Sequence, residues 1–225
     1  MGQAVGDILP LAIGVAISPV PIIALILMLI TPKARSNGIA FALGWMLGLC
    51  VVGFGGLALA ASAGVSTSAS ASDGASVGKL LFGILFLMLA VKQFRGRPKP
   101  GQDPVMPRWM ATIDAFTPGK ALVLAALLSG VNPKNLLLTL AAASTIAQVP
   151  GLTGAQEVTA MLVFIVLASL TVLTPVLVYL VMGARAATVL NGWKTWLQAN
   201  NASIMSVLFL VFGAVLLGKG VAGVG

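Results

Sequence analysis

Ile17-Ser18-Pro19-Val20-Pro21-Ile22 interrupts the first apolar stretch of this chain, and Gly130-Val131-Asn132-Pro133-Lys134-Asn135 interrupts the fourth. Each proline removes a backbone donor and crowds the carbonyl one turn earlier, so a helix cannot run through either segment undisturbed. Carbonyls freed in lipid must find another partner. Ser18, Asn132 and Asn135 are the local polar groups able to serve. An ordinary proline kink is the alternative reading of either interruption alone; the meaning of the pair depends on the stretches around them.

Six apolar stretches are legible, at 8–30, 38–61, 77–94, 121–147, 158–182 and 202–218. Each approaches or exceeds the roughly 20 residues a membrane-crossing helix needs. The chain is 59% hydrophobic and 8% charged over 225 residues. A soluble domain carries about 25% charged residues, so the apolar excess here has to face lipid. Backbone groups in lipid must be paired within the segment, which makes each stretch helical. The broken stretches are the first and the fourth, and each opens a set of three. Three crossings is an odd number, so the second set enters from the opposite side of the membrane. The expected fold is an all-α integral membrane protein of six transmembrane helices. They form two inverted three-helix repeats (3+3), with discontinuous helices 1 and 4. The expected divisions are 1–94 for the first repeat, 95–119 for a basic, proline-rich cytoplasmic linker and 120–225 for the second repeat.

Charge supports this alternation. Lys33, Arg35, Lys92, Arg95, Arg97, Lys99, Arg108, Lys120, Arg185 and Lys194 fall on one side, against Lys79 and Lys219 on the other. Basic loops stay in the cytoplasm, so both termini are expected outside it. The net charge of +8 reads as this topology signal. Nucleic acid is not an expected partner, because no folded basic domain with stacking aromatics is present. The first residues lack the Lys or Arg of a signal-peptide start, so the first stretch is expected to be a retained span. The loop at 62–76, nearly all Ala, Ser, Gly and Thr, reads as a flexible external connection.

The same composition limits chemistry. Cys50 is the lone cysteine and His is absent, which excludes an intrachain disulfide, dithiol exchange and the commonest general base and metal ligand. No carboxylate is evident inside a span; Asp7, Asp73, Asp103, Asp114 and Glu157 read as loop or helix-end residues. A carboxylate proton relay, a resident metal, a cofactor and an enzyme activity are therefore not expected.

The candidate binding residues are Ser18, Pro19, Pro21, Asn132, Pro133, Lys134 and Asn135. Matched breaks in inverted halves are the sequence sign of a midplane transport site. Half-helix N-termini carry partial positive charge and favour an anion. An ammonium within a span costs about 3 kcal/mol or more, so Lys134 must meet either an anionic substrate group or the freed carbonyls. Gly44 and Gly48 form a GxxxG that allows close helix packing, within the chain or between copies. Thr174-Pro175 is a third interruption, a hinge or a kink. Thr139, Ser144, Ser169, Thr171 and Thr174 read mainly as packing or backbone-bonding residues.

These residues resemble a known family. The proline-rich first break, Asn132-Pro133-Lys134 and the 3+3 layout look like the lysine exporter (LysE) superfamily. Ile17-Ser18-Pro19-Val20-Pro21-Ile22-Ile23, Thr31-Pro32-Lys33-Ala34-Arg35-Ser36-Asn37-Gly38 and Phe41-Ala42-Leu43-Gly44-Trp45 resemble its actinobacterial GAP group, the peptidoglycolipid- and sulfolipid-addressing proteins. The resemblance implies an inner-membrane transporter fold and a lipid-linked or glycolipid substrate. A homodimer is a further expectation from it. Amino-acid exporters of the superfamily show a Pro-Gly-Pro type break. Here Val20 stands between the prolines, which speaks against close backbone approach by a small amino acid.

The leading expectation is an exporter of flippase type for an anionic glycolipid or lipid-linked cell-envelope precursor. A second reading is export of an amino acid or another small polar solute. A third is a scaffold that moves nothing and holds a glycolipid-synthesising enzyme through the 95–120 loop.

Overall fold

The computed structural model describes residues 1–62, 73–98 and 108–222. The external-loop reading at 62–76 falls mostly outside these residues, as do Lys99, Pro100, Asp103, Pro104 and Pro107 of the linker.

Among the described residues the chain is helical throughout, with no strand. The helices are α1 (Gly2–Ala16), α2 (Pro19–Leu29), α3 (Ala34–Ser62), α4 (Asp73–Arg95), α5 (Pro118–Gly130), α6 (Pro133–Ala147), α7 (Gly154–Met182) and α8 (Ala186–Val221). A 3₁₀ segment at Arg108–Ala115 precedes α5, and a short one at Gly183–Arg185 precedes α8. Gly183 has φ +58°, a backbone state that L side chains rarely adopt.

Length and apolarity qualify α3 and the stretch Gly154–Gly218 as membrane-crossing. The pairs α1–α2 and α5–α6 qualify jointly, bent by 55° and 63° at their breaks. That makes two candidate spans, or up to four with each bent pair taken as one. On α3 the residues Leu43, Leu47 and Val51, spaced by four, are all more than half exposed. Such a helical stripe of bare Leu and Val has no place in water but suits lipid.

The chain forms two compact units, Met1–Thr67 with Pro107–Thr195, and Ser68–Met106 with Trp196–Gly225. In the first, α3 and α5 run parallel. Gly44 sits against Leu122, and Gly48 sits against Ala126 and Ser129. The GxxxG motif thus packs α3 on α5 within the chain. Helix α7 runs antiparallel to α3, with Gly53 facing Met161 and Gly38 facing Val176. Asn37 Nδ2 donates to Phe116 O at 3.1 Å and ties the start of α3 to the entry of α5.

In the second unit, α4 and the last part of α8 are antiparallel. Ser206 Oγ donates to Ala90 O at 3.0 Å, and the Phe86 and Phe209 rings lie 5.4 Å apart. Leu87 packs over Gly213, and Leu217 over Gly83.

Some helix bounds differ from the apolar stretches. Helix α1 begins at Gly2 and carries Pro10 inside it. Helix α8 begins at Ala186, well before residue 202, because the polar segment AATVLNGWKTWLQANN is helical without being apolar. Pro175 lies inside an unbroken α7, so the third interruption is no break. Thr174 Oγ1 donates to Leu170 O at 2.7 Å in the turn before it.

A lysine-closed helix break

Both breaks are shorter than the motifs that mark them. Helix α1 stops at Ala16 and α2 starts at Pro19; α5 stops at Gly130 and α6 starts at Pro133. The cause is local. A residue before proline is pushed out of the helical region. Ser18 accordingly has φ −129°, ψ 82° and Asn132 has φ −57°, ψ 121°. Pro19 and Pro133 then occupy the first helical position, where a missing N–H costs nothing. Ile17, at φ −77° and ψ 80°, forms the centre of an inverse γ-turn closed by Ser18 N donating to Ala16 O at 2.8 Å.

A helix end leaves its last carbonyls without intrahelical partners, and here each of those on α1 finds a donor. Ile13 O accepts from Ile17 N at 2.9 Å. Gly14 O accepts from Lys134 Nζ at 2.6 Å. Val15 O accepts from Ser18 Oγ at 2.7 Å. Ala16 O accepts from Thr171 Oγ1 on α7 at 2.5 Å. Ile17 O, in the break itself, accepts from Lys134 Nζ at 2.9 Å. The third Lys134 bond goes to Ser18 Oγ at 2.9 Å.

An ammonium has three protons to donate, and all three are used. Lys134 is 4% exposed and is the one charged side chain among the buried residues described. Its partners are neutral, with no carboxylate among them. The C-terminal end of a helix carries partial negative charge, so the end of α1 stabilises the cation where a bare span would not. Lys134 therefore meets the freed carbonyls, one of the two alternatives its position allowed.

Groups at the second break also find partners on the helices that flank it. Asn132 Oδ1 caps α6 by accepting from Lys134 N at 3.1 Å. Asn135 Nδ2 donates to Leu128 O near the end of α5 at 3.0 Å. Asn135 Oδ1 lies 3.3 Å from Ser18 Oγ, which joins the two breaks a second time.

The structure thus brings Ser18, Lys134 and Asn135 into one hydrogen-bonded cluster. Asn132, Pro19 and Pro133 shape it through the backbone. Pro21 contributes otherwise. Together with Pro19 it leaves Val20 as the only N–H among the first three residues of α2, so that helix start offers an anion little. Thr171, read from the sequence as a packing or backbone-bonding residue, bonds the backbone, though its partner on α1 carried no sequence signal. The carbonyls of Gly14 and Ile17 carry no side-chain signal at all. Among the described residues no group of His, Cys, Asp or Glu suits a metal ion.

With two stretches long and apolar enough to cross a membrane and two bent helix pairs joined through Lys134, the chain has the make-up of a helical membrane protein. The family follows from the sequence: the family model of Sap, sulfolipid-1-addressing protein, matches residues 8–222, and the chain belongs to that family. The resemblance to the sulfolipid-addressing group is borne out. No curated protein and no solved structure matches the chain significantly.

Proposed function

We propose that this protein moves an anionic glycolipid or lipid-linked envelope precursor across the inner membrane, using the Ser18–Lys134–Asn135 cluster as the head-group site. The observation that carries the reading is a buried ammonium whose partners among the described residues are all neutral. A sulfate, phosphate or carboxylate makes a stronger, charge-assisted bond to such a group than a carbonyl does. An arriving anion would therefore compete for Lys134 with Gly14 O and Ile17 O. Taking the ammonium would remove the bonds by which α6 holds the end of α1, which couples head-group binding to rearrangement of the break. Thr139, one turn beyond Asn135 on α6, is fully buried with an unpartnered hydroxyl, and it supplies a further polar contact. Membership of a sulfolipid-addressing family supports the lipid class of the cargo.

The six-crossing, inverted 3+3 architecture belongs to this proposal, with both termini outside the cytoplasm. Helix directions support it: α3 is parallel to α5 and antiparallel to α7, and α4 is antiparallel to the end of α8. So do the packing pairs, which repeat when the halves are exchanged. The pairing of α3 with α5 answers to α7 with α1, and α2 with α3 answers to α6 with α7. Helices α1 and α6 meet through Lys134. The test is the surface level of labelled anionic glycolipid in cells carrying Lys134→Ala or Pro133→Ala. Reduced surface label is expected; normal surface levels together with normal transfer in reconstituted vesicles would remove the assigned site.

A further inference from the structure

We propose that a furrow on the outward face of α5 holds one anionic phospholipid of the cytoplasmic leaflet, with its phosphate on the Lys120 ammonium and an acyl chain along Val123, Leu124 and Leu127. The site is separate from the Ser18–Lys134–Asn135 cluster. It takes only its leaflet from the topology proposed above.

The furrow has a volume of about 350 Å³ and is lined by Phe116, Gly119, Lys120, Val123, Leu124 and Leu127. That lies within the roughly 300–1,000 Å³ of small-molecule sites. Its position follows from how α5 packs. Ala121, Ala125 and Ser129 are buried, and Gly44 and Gly48 of α3 lie against Leu122, Ala126 and Ser129. Lys120, Val123, Leu124 and Leu127 have the i, i+3, i+4, i+7 spacing of a single helix face. Val123 is 56% and Leu127 52% exposed, so this face looks outward.

The chemistry of the stripe is divided along the helix. Val123, Leu124 and Leu127 are aliphatic, and the cation Lys120 stands where α5 begins. Helical side chains lean toward the helix N-terminus, so Lys120 carries its ammonium away from the aliphatic part, as lysines do at a membrane interface. The rise from Lys120 to Leu127 is about 10 Å, against about 15 Å of hydrocarbon in one leaflet. An amphiphile with a negative group above a chain matches this order. A zwitterionic head group brings a second cation to the ammonium, and a free phosphate leaves the aliphatic part bare. Asp114, the acid nearest in sequence, is exposed and does not line the furrow. The cytoplasmic leaflet carries the anionic lipid, and α5 begins on that side in the proposed topology.

The test is lipid binding by the full chain in detergent, read by native mass spectrometry, with phosphatidylglycerol, phosphatidylcholine and inorganic phosphate as the probes. Wild type should hold one phosphatidylglycerol about fivefold more tightly than one phosphatidylcholine, the share that a single lysine adds to attraction by anionic lipid. It should not retain inorganic phosphate. Lys120→Gln should make the two lipids equal, and Lys120→Arg should keep the preference. Val123→Trp, which fills the furrow, should weaken both lipids. Both positions are exposed, so the unfolding temperature without lipid should stay unchanged. A preference that persists in Lys120→Gln overturns the proposal. So does phosphate binding that Lys120→Gln abolishes while both lipids bind as before, which would make this an anion site alone. A dimer that Val123→Trp breaks up overturns it too, by giving the furrow to a second copy of the chain. Lys134→Met should keep the phosphatidylglycerol preference even where glycolipid transfer fails, so this proposal and the transport reading fail separately.

Discussion

Lys134 Nζ donates to the carbonyl oxygen of Ile17 across 2.9 Å, so a side chain from the second broken helix completes the hydrogen bonding of the first. The contact spans 117 positions of sequence and makes the two breaks one structural object. Replacing Lys134 by Met removes three donors and a buried charge together. An unsatisfied acceptor costs about 1–3 kcal/mol, and removing an ammonium from a span returns about 3 kcal/mol. With the carbonyls of both Gly14 and Ile17 left without their donor, the net change should lie between about 1 kcal/mol of stabilisation and about 3 kcal/mol of destabilisation by the same figures. Unfolding in mixed detergent measures it; collapse of the fold would show that Lys134 holds the whole unit together rather than one break.

Thr171 Oγ1 is the donor to Ala16 O from α7. Thr171→Val keeps the shape and removes that bond, at a cost of about 0.6–1.7 kcal/mol for an interhelical bond in a membrane protein. A double-mutant cycle with Ser18→Ala should show coupling, because both hydroxyls serve adjacent carbonyls of one helix end. Strict additivity would contradict a shared break.

The glycines of α3 are unequal. A methyl at Gly44 would run into the carbonyl of Leu122, which is backbone and cannot swing away. At Gly55 a methyl meets nothing within 4 Å. Gly44→Ala should lose about 1–3 kcal/mol by overpacking. Gly55→Ala should be neutral or gain up to about 1 kcal/mol of helix propensity. The same unfolding assay ranks them; equal effects would mean that α3 and α5 are not in close contact.

Topology can be read with cysteines introduced into a Cys50→Ser background. An impermeant thiol reagent should label Gly2→Cys in intact cells, and Lys194→Cys only after permeabilisation. The reverse pattern would invert the proposed orientation.

The two breaks were legible because proline leaves a local mark: Pro19 and Pro133 set the backbone of the residues before them, and the helices restart where they stand. Lys134 was legible as a cost in need of a partner. The freed carbonyls were one of its two expected partners, but which carbonyls was not legible, because Gly14 O and Ile17 O are backbone atoms and any residue carries them. The start of α8 at Ala186 escaped notice for a different reason. Apolar run length marks what lipid covers, and a helix that extends as a polar segment leaves no such mark. The family match over residues 8–222 agrees with motifs that lie mainly near the two breaks.

The central claim is that Lys134 handles an anionic head group during transport. Its most direct test is transfer of a fluorescent anionic glycolipid between leaflets of vesicles containing the purified protein, wild type against Lys134→Met. Wild-type vesicles should transfer it, and the variant should be slower by at least about tenfold, the equivalent of one lost charge-assisted bond. Equal rates in the two would contradict the account.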